Sequence, residues 1–233
     1  DVTDLTGIDD RGDHIAIGAG TRQRALERSD NVSQRLPLLA KAVRNVGHQQ
    51  TRNRGTIGGS VVHGDPSAEL PLAALALEAK IVLRDLSGET EIPLDGFFEA
   101  AMVTNIEPRQ LLTEIRIPVW QNGATGTGFH ETASRQGDFA IVAAAAQIEM
   151  SETGTIARSA ISAGGVAPSP VKLRAVEEAL VGASADGIAA ALGYIDEAID
   201  PDTDVHATAD YRRRVVRELV SRAVADAVAE ARR

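Results

Sequence analysis

An α+β fold in two parts is predicted, and three observations carry the prediction. Short apolar and β-branched runs at 81–84, 91–94 and 111–117 read as strands; Ser87-Gly88 turns between the first two and Pro118 stops the third. A polar, glycine-rich stretch, Gln121-Asn122-Gly123-Ala124-Thr125-Gly126, marks the passage into a second part. Beyond Pro170 the pattern turns helical and closes on residues 208–229, where Val216, Leu219, Val220, Ala223, Val224 and Ala227 form one apolar stripe. The expected division is therefore a mixed α/β part over 1–120 and a sheet packed with helices over 121–233.

Taken in order, Ile15-Ala16-Ile17-Gly18 reads as a strand, and Thr21 as the N-cap of a helix through Ala25, Leu26 and Arg28. Residues 37–46 carry a helical stripe that Gly47 would end as a C-terminal cap. Pro66 fits the first turn of another helix, with Asp65 as its cap and Leu70, Leu72, Ala73, Leu75 and Leu77 as its buried face. Residues 140–150 are ambiguous: their alanines favour helix, whereas their length and the turn Glu152-Thr153-Gly154 suit a strand and hairpin. Helices are expected over 171–181, 186–199 and 208–229. On the last, Arg212, Arg213, Arg217 and Arg222 lie off the stripe and read as solvated surface.

The chemistry concentrates in Arg52-Asn53-Arg54-Gly55-Thr56-Ile57-Gly58-Gly59-Ser60. Three glycines within five positions allow positive φ and close approach of main chain to a ligand. Convergent N–H groups, flanked by the Thr56 and Ser60 hydroxyls, would form a nest for a phosphate. Glycine spacing alone favours a glycine-rich turn between two strands over the nest. A nucleoside-triphosphate loop is excluded, because no lysine follows Gly59 before Lys80. A dinucleotide fingerprint at Gly18-Ala19-Gly20 fails at Gln23.

As one string, residues 52–72 resemble the FAD-binding medium subunit of molybdenum hydroxylases, the xanthine dehydrogenase and carbon monoxide dehydrogenase group. The resemblance extends through Gly128-Phe129-His130-Glu131, Arg135-Gln136-Gly137-Asp138-Phe139-Ala140, 162–170 and Tyr211-Arg212-Arg213, nearly the whole chain. It implies a domain of the PCMH or vanillyl-alcohol-oxidase type, represented by its second subdomain. A CO dehydrogenase flavoprotein C-terminal-like α+β domain would follow, with residues 140–150 as a strand. It implies FAD as cofactor, held by Thr56, Ile57, Gly58, Gly59, Ser60, Glu69 and Leu112, with Phe129, His130 and Glu131 near the isoalloxazine. Where the family has a lysine, this chain has Glu131 or His130, a change that would disfavour a reduced anionic flavin.

The implied role is electron transfer through FAD to an external acceptor. Molybdopterin and [2Fe-2S] clusters would sit on a large and a small partner subunit, in a heterotrimer or its dimer. The family's second pyrophosphate segment, Ala-Gly-Gly-x-Ser, is not found here, since Ala163-Gly164-Gly165 is followed by Val166-Ala167. The expectation is that a small N-terminal subdomain is missing and that this chain alone binds FAD weakly.

Composition limits the rivals. With 24 basic against 33 acidic residues the formal charge is -9, which disfavours nucleic acid or an anionic membrane as a general partner. No apolar run reaches the length of a membrane span. The chain has no cysteine, so it cannot itself hold an iron-sulfur cluster, and a cytoplasmic setting is expected. No catalytic or metal-ligating set emerges: Ser60, His63 and Asp65 are too close in sequence to be presumed a triad, and Glu131 with Arg135 reads as an ordinary charge pair. Two other readings remain, a stand-alone FAD-dependent oxidase and a non-catalytic interaction subunit.

Overall fold

The computed structural model describes residues 3–120, 123–183 and 187–233. Strands β1 (Ile8–Asp10) and β2 (His14–Gly18) open the chain. Five short helices follow: α1 (Gln23–Arg28), α2 (Asp30–Arg35), α3 (Pro37–Val43), α4 (Gln49–Arg54) and α5 (Ile57–His63). After α6 (Glu69–Ala76) come β3 (Lys80–Asp85), β4 (Gly88–Pro93), a small hairpin of β5 (Phe98–Ala100) and β6 (Val103–Thr104), and β7 (Leu111–Pro118). The first sheet is antiparallel in the order β1-β2-β7-β3-β4. Ile17 and Ile81 both lie opposite Ile115, so three fully buried isoleucines cross neighbouring strands on one face.

The second sheet, also antiparallel, runs β11-β10-β9-β8 from β8 (Ala124–Thr132), β9 (Val142–Met150), β10 (Ile156–Gly164) and β11 (Val171–Lys172). Helices α7 (Arg174–Leu180), α8 (Ile188–Ala191) and α9 (Ala209–Ala231) complete it. Residues 140–150 thus form a strand, and Ala143–Ala146 are fully buried because both faces of β9 are covered. Helix α9 packs on one face and α3 and α6 approach from the other. Polar contacts fasten the two parts. Lys41 Nζ donates to Thr127 O at 2.6 Å and to Glu230 Oε2 at 2.5 Å, and Ser162 Oγ donates to Leu72 O at 2.9 Å. Glu78 accepts from Lys172 at 3.0 Å and from Arg158, whose guanidinium also stacks 4.0 Å over the Trp120 ring.

Several local expectations are corrected. Thr21 does not cap α1; its hydroxyl and Gly7 exchange hydrogen bonds, and Arg22 stands at the N-cap without a side-chain bond. Helix α3 ends at Val43, and Gly47 (φ 45) lies in the turn beyond. Asp65 caps a turn through Ser67 N, so α6 starts only at Glu69, and all eight of its residues are buried instead of one face. The expected helix at 171–181 splits into β11 and α7, and the one at 186–199 into α8 and a 3-10 stretch, Leu192–Glu197, with Asp186 outside the described residues. In the proposed passage, Gln121 and Asn122 also lie outside them. Arg212 is no surface residue: only 7% exposed, it donates to Ile141 O and Gly165 O and pairs with Asp204 at 2.7 Å.

Candidate cofactor-binding site

The glycine-rich stretch is neither a nest nor a turn between strands; it is the start of a helix. Thr56 is the N-cap of α5, its Oγ1 accepting from Gly59 N at 3.1 Å. The remaining donors of that first turn are spoken for by the β2–α1 connection: Ile57 N bonds Thr21 O and Gly58 N bonds Ala19 O. Neither Gly58 nor Gly59 has positive φ. What Gly58 supplies is closeness, because a Cβ there would lie 2.5 Å from Ala19 Cβ and 2.7 Å from Ala19 O. A Cβ on Gly59 would meet only Thr56 Oγ1, at 2.9 Å, and its other side is open. Gly64, at φ 67, ends the helix in the left-handed region.

That open side faces a cavity of about 370 Å³ bounded by Gly58, Gly59 and Val62 of α5, Ala19, Ile106 and Leu112. Its wall is mainly apolar. The Ser60 hydroxyl makes no hydrogen bond to any described residue. A larger cavity, about 650 Å³, opens elsewhere, between the two parts of the chain. Asp65, Met102, Phe139, Ile141, His206 and Arg212 help to line it, and it does not reach the glycine-rich stretch.

Strand β8 sorts the other three expected residues by face. Phe129 packs against the first core and Glu131 feels the charge of Glu69, so both are directed towards the first part of the chain. His130 points the opposite way and pairs with Asp226 of α9 at 2.8 Å, so the structure does not bring it to the site. Glu131 and Arg135 form no ion pair, because Glu131 is on a strand and turned inward. Glu69 is 4% exposed. Burial first, and then the charge of Asp65, pushes its carboxyl up to about 7; burial and Glu69 do the same for Glu131. Among the described residues no group of His, Asp and Glu is gathered to hold a metal ion.

Residues 1–120 match the family described as FAD binding domain in molybdopterin dehydrogenase, and residues 127–227 match the CO dehydrogenase flavoprotein C-terminal domain. This chain belongs to the FAD-binding flavoprotein family of molybdopterin dehydrogenases. Among relatives of that family, the 6-hydroxypseudooxynicotine dehydrogenase complex subunit alpha of Paenarthrobacter nicotinovorans is 38% identical over 233 residues, which cover 99% of this chain and 78% of the relative. A solved carbon monoxide dehydrogenase from Hydrogenophaga pseudoflava, lacking the Mo-pyranopterin moiety of its cofactor, superposes with a TM-score of 0.94 at 34% identity, covering 98% of this chain and 80% of that one. Quinoline 2-oxidoreductase from Pseudomonas putida 86 gives a TM-score of 0.91 at 28% identity, covering 99% and 80%.

The residues present fit the cofactor of this flavoprotein family. The bare surface of Gly59 leaves room for a ligand against the α5 backbone, the cavity beside it is apolar enough for a ring or its linker, and Ser60 offers a free hydroxyl. The lining residues Val62 and Ile106 were not anticipated from sequence. Val62 could have been, since it follows Gly58 at one helical turn.

Proposed function

We propose that this flavoprotein is the FAD-binding, electron-transfer subunit of a molybdenum-containing hydroxylase or dehydrogenase. It takes electrons from iron-sulfur clusters on a small partner subunit, fed by a large molybdenum subunit, and passes them to an external acceptor. The assembly is a heterotrimer or its dimer, working in the cytoplasm; no helix of the described chain is long and apolar enough to cross a membrane. The FAD-binding part is 1–120 and the C-terminal part 121–233.

The observation that carries this reading is the cavity bounded by the open side of Gly59 and the side chain of Leu112. When bound, FAD would supply electron exchange in single or paired steps. The chain's own residues position and enclose it. Ile57 and Gly58 lock α5 onto the β2–α1 connection, Thr56 and Ser60 present hydroxyls at its first turn, and Leu112 and Val62 exclude water. Glu69, Glu131 and Phe129 do not line this cavity; Glu69 is buried at the start of α6 and Phe129 packs against the first core.

The test is the visible absorption of the purified assembly together with its FAD content. Stoichiometric flavin that is reduced anaerobically only when the partner subunits and their substrate are present supports the reading. Flavin reduced by substrate in this chain alone points to a stand-alone oxidase.

A further inference from the structure

Strand β7 carries one residue more than the strand beside it, and the extra residue is Thr113. Against β3, Glu114 lies opposite Val82 but Leu112 lies opposite Leu83, so Thr113 has no counterpart there. Against β2 the ladder runs on regularly. Gly18 lies opposite Glu114, and the next amide along, Ala19 N, donates to Thr113 O at 2.9 Å. The bulge is pinned from within: Thr113 is only 9% exposed, and its hydroxyl donates to Val82 O at 3.1 Å, where the register shifts. A bulge reverses the parity of everything beyond it. Ile117 and Ile115 face the first core, and an unbroken period of two would put Thr113 beside them and Leu112 on the outer face. The extra residue turns Leu112 inward instead, where it joins that core and lines the cavity beside Gly59.

The same residue sets another wall of that cavity. Thr113 O holds Ala19 N, and Ala19 O receives Gly58 N at 2.9 Å, so a chain of three hydrogen bonds runs from Val82 through Thr113 and Ala19 to the first turn of α5. Ala19, Gly58 and Leu112 line the cavity, and Thr113 stands behind them. We infer that Thr113 is a positioning residue for the cofactor: its bulge sets the spacing between Leu112 and the start of α5, and its hydroxyl keeps the bulge in place. The inference rests on the flavoprotein reading above. Valine at this position keeps the β-branched shape but takes from Val82 O, at a buried step in the ladder, the donor it has. The bulge is then free to slip by one residue, which carries Leu112 out of the cavity and loosens Ala19.

The test compares Thr113→Val with Thr113→Ser, which keeps the donor, in the complete assembly. The first measurement needs no flavin: in the assembly stripped of it, amide hydrogen exchange at Ala19 and Gly58 should quicken at least about tenfold in Thr113→Val and stay near the native rate in Thr113→Ser, with β9 unchanged in both. The second is FAD affinity on adding the cofactor back, followed by flavin fluorescence. Kd should weaken about tenfold in Thr113→Val and stay within about twofold of native in Thr113→Ser. Unchanged exchange at both amides, or exchange that quickens equally in β9, overturns the anchoring. Quickened exchange at the two amides with native FAD affinity overturns the positioning of the cofactor. If the unsubstituted assembly itself takes up no FAD, the flavoprotein reading fails, and exchange at Ala19 and Gly58 alone decides the anchoring.

Discussion

A Cβ placed on Gly128 would stand 2.0 Å from the carbonyl oxygen of Ala223, so β8 and α9 touch through bare backbone. Gly126 repeats the contact one turn along, against Ala227 O at 2.0 Å. Neither backbone can yield without parting the sheet from its helix. Gly128→Ala is therefore expected to lower stability by about 3 kcal/mol, read as a drop in the urea midpoint, and an unaltered midpoint would contradict this packing.

The paired glycines of α5 should behave differently from each other. Gly58→Val drives side-chain atoms into Ala19 and costs fold stability. Gly59→Val projects into the cavity and displaces only the cap hydroxyl of Thr56, at about 1 kcal/mol. The expected signature of Gly59→Val is loss of flavin with a nearly normal melting temperature. A variant with full FAD content would remove the cavity from the cofactor site.

His130 and Glu131 are neighbours in sequence on opposite faces of one strand, and flavin content separates them. His130→Ala loses only its exposed contact with Asp226, at most about 1 kcal/mol, and should retain its FAD. Depletion of flavin in this variant would show that His130 reaches the cofactor after all.

Glu69 makes stability fall as pH rises. Its folded-state carboxyl titrates at about 7, above the 4.5 of a free glutamate, so between those values the folded chain binds more protons than the unfolded one. The stabilisation is complete below about 4.5 and is lost as pH rises through about 7, to an extent on the order of 3 kcal/mol. Urea midpoints measured across this range should fall less steeply in Glu69→Gln, with Glu131 supplying the slope that remains; an equal slope in both proteins would place the titration elsewhere.

Arg212 carries a structural duty that can be measured separately. Replacing it with Met would orphan the carbonyls of Ile141 and Gly165 and leave Asp204 without its cation, lowering stability by about 3 kcal/mol. Differential scanning calorimetry should show it, and a loss below about 0.5 kcal/mol would mean solvent replaces those bonds freely.

The strands were legible where one face is buried and the other is not, as in β7, whose Ile115 and Ile117 alternate with Glu114 and Arg116. Helix α5 was not, because glycine is a poor helix former and what holds its first turn is remote in sequence: the carbonyls of Ala19 and Thr21. The site was half readable. Thr56 to Ser60 stood out by composition, whereas the orientation of His130 follows from the strand's period of two, which turns it away from Phe129 and Glu131. Arg212 was misplaced because it is held by the carbonyls of Ile141 and Gly165 together with Asp204, a set of contacts that leaves no signature in a sequence.

Helix α6 has no side turned to water. Glu69 through Ala76 are all buried, some against α3 and α5, others against β9 and β10, so the helix serves as filling for both halves at once. A fragment ending near residue 120 would lay part of that surface bare, and a fragment beginning after it would lack the residues its sheet packs upon. The two halves are thus mutually dependent in folding, and heat or denaturant should melt them in a single cooperative transition.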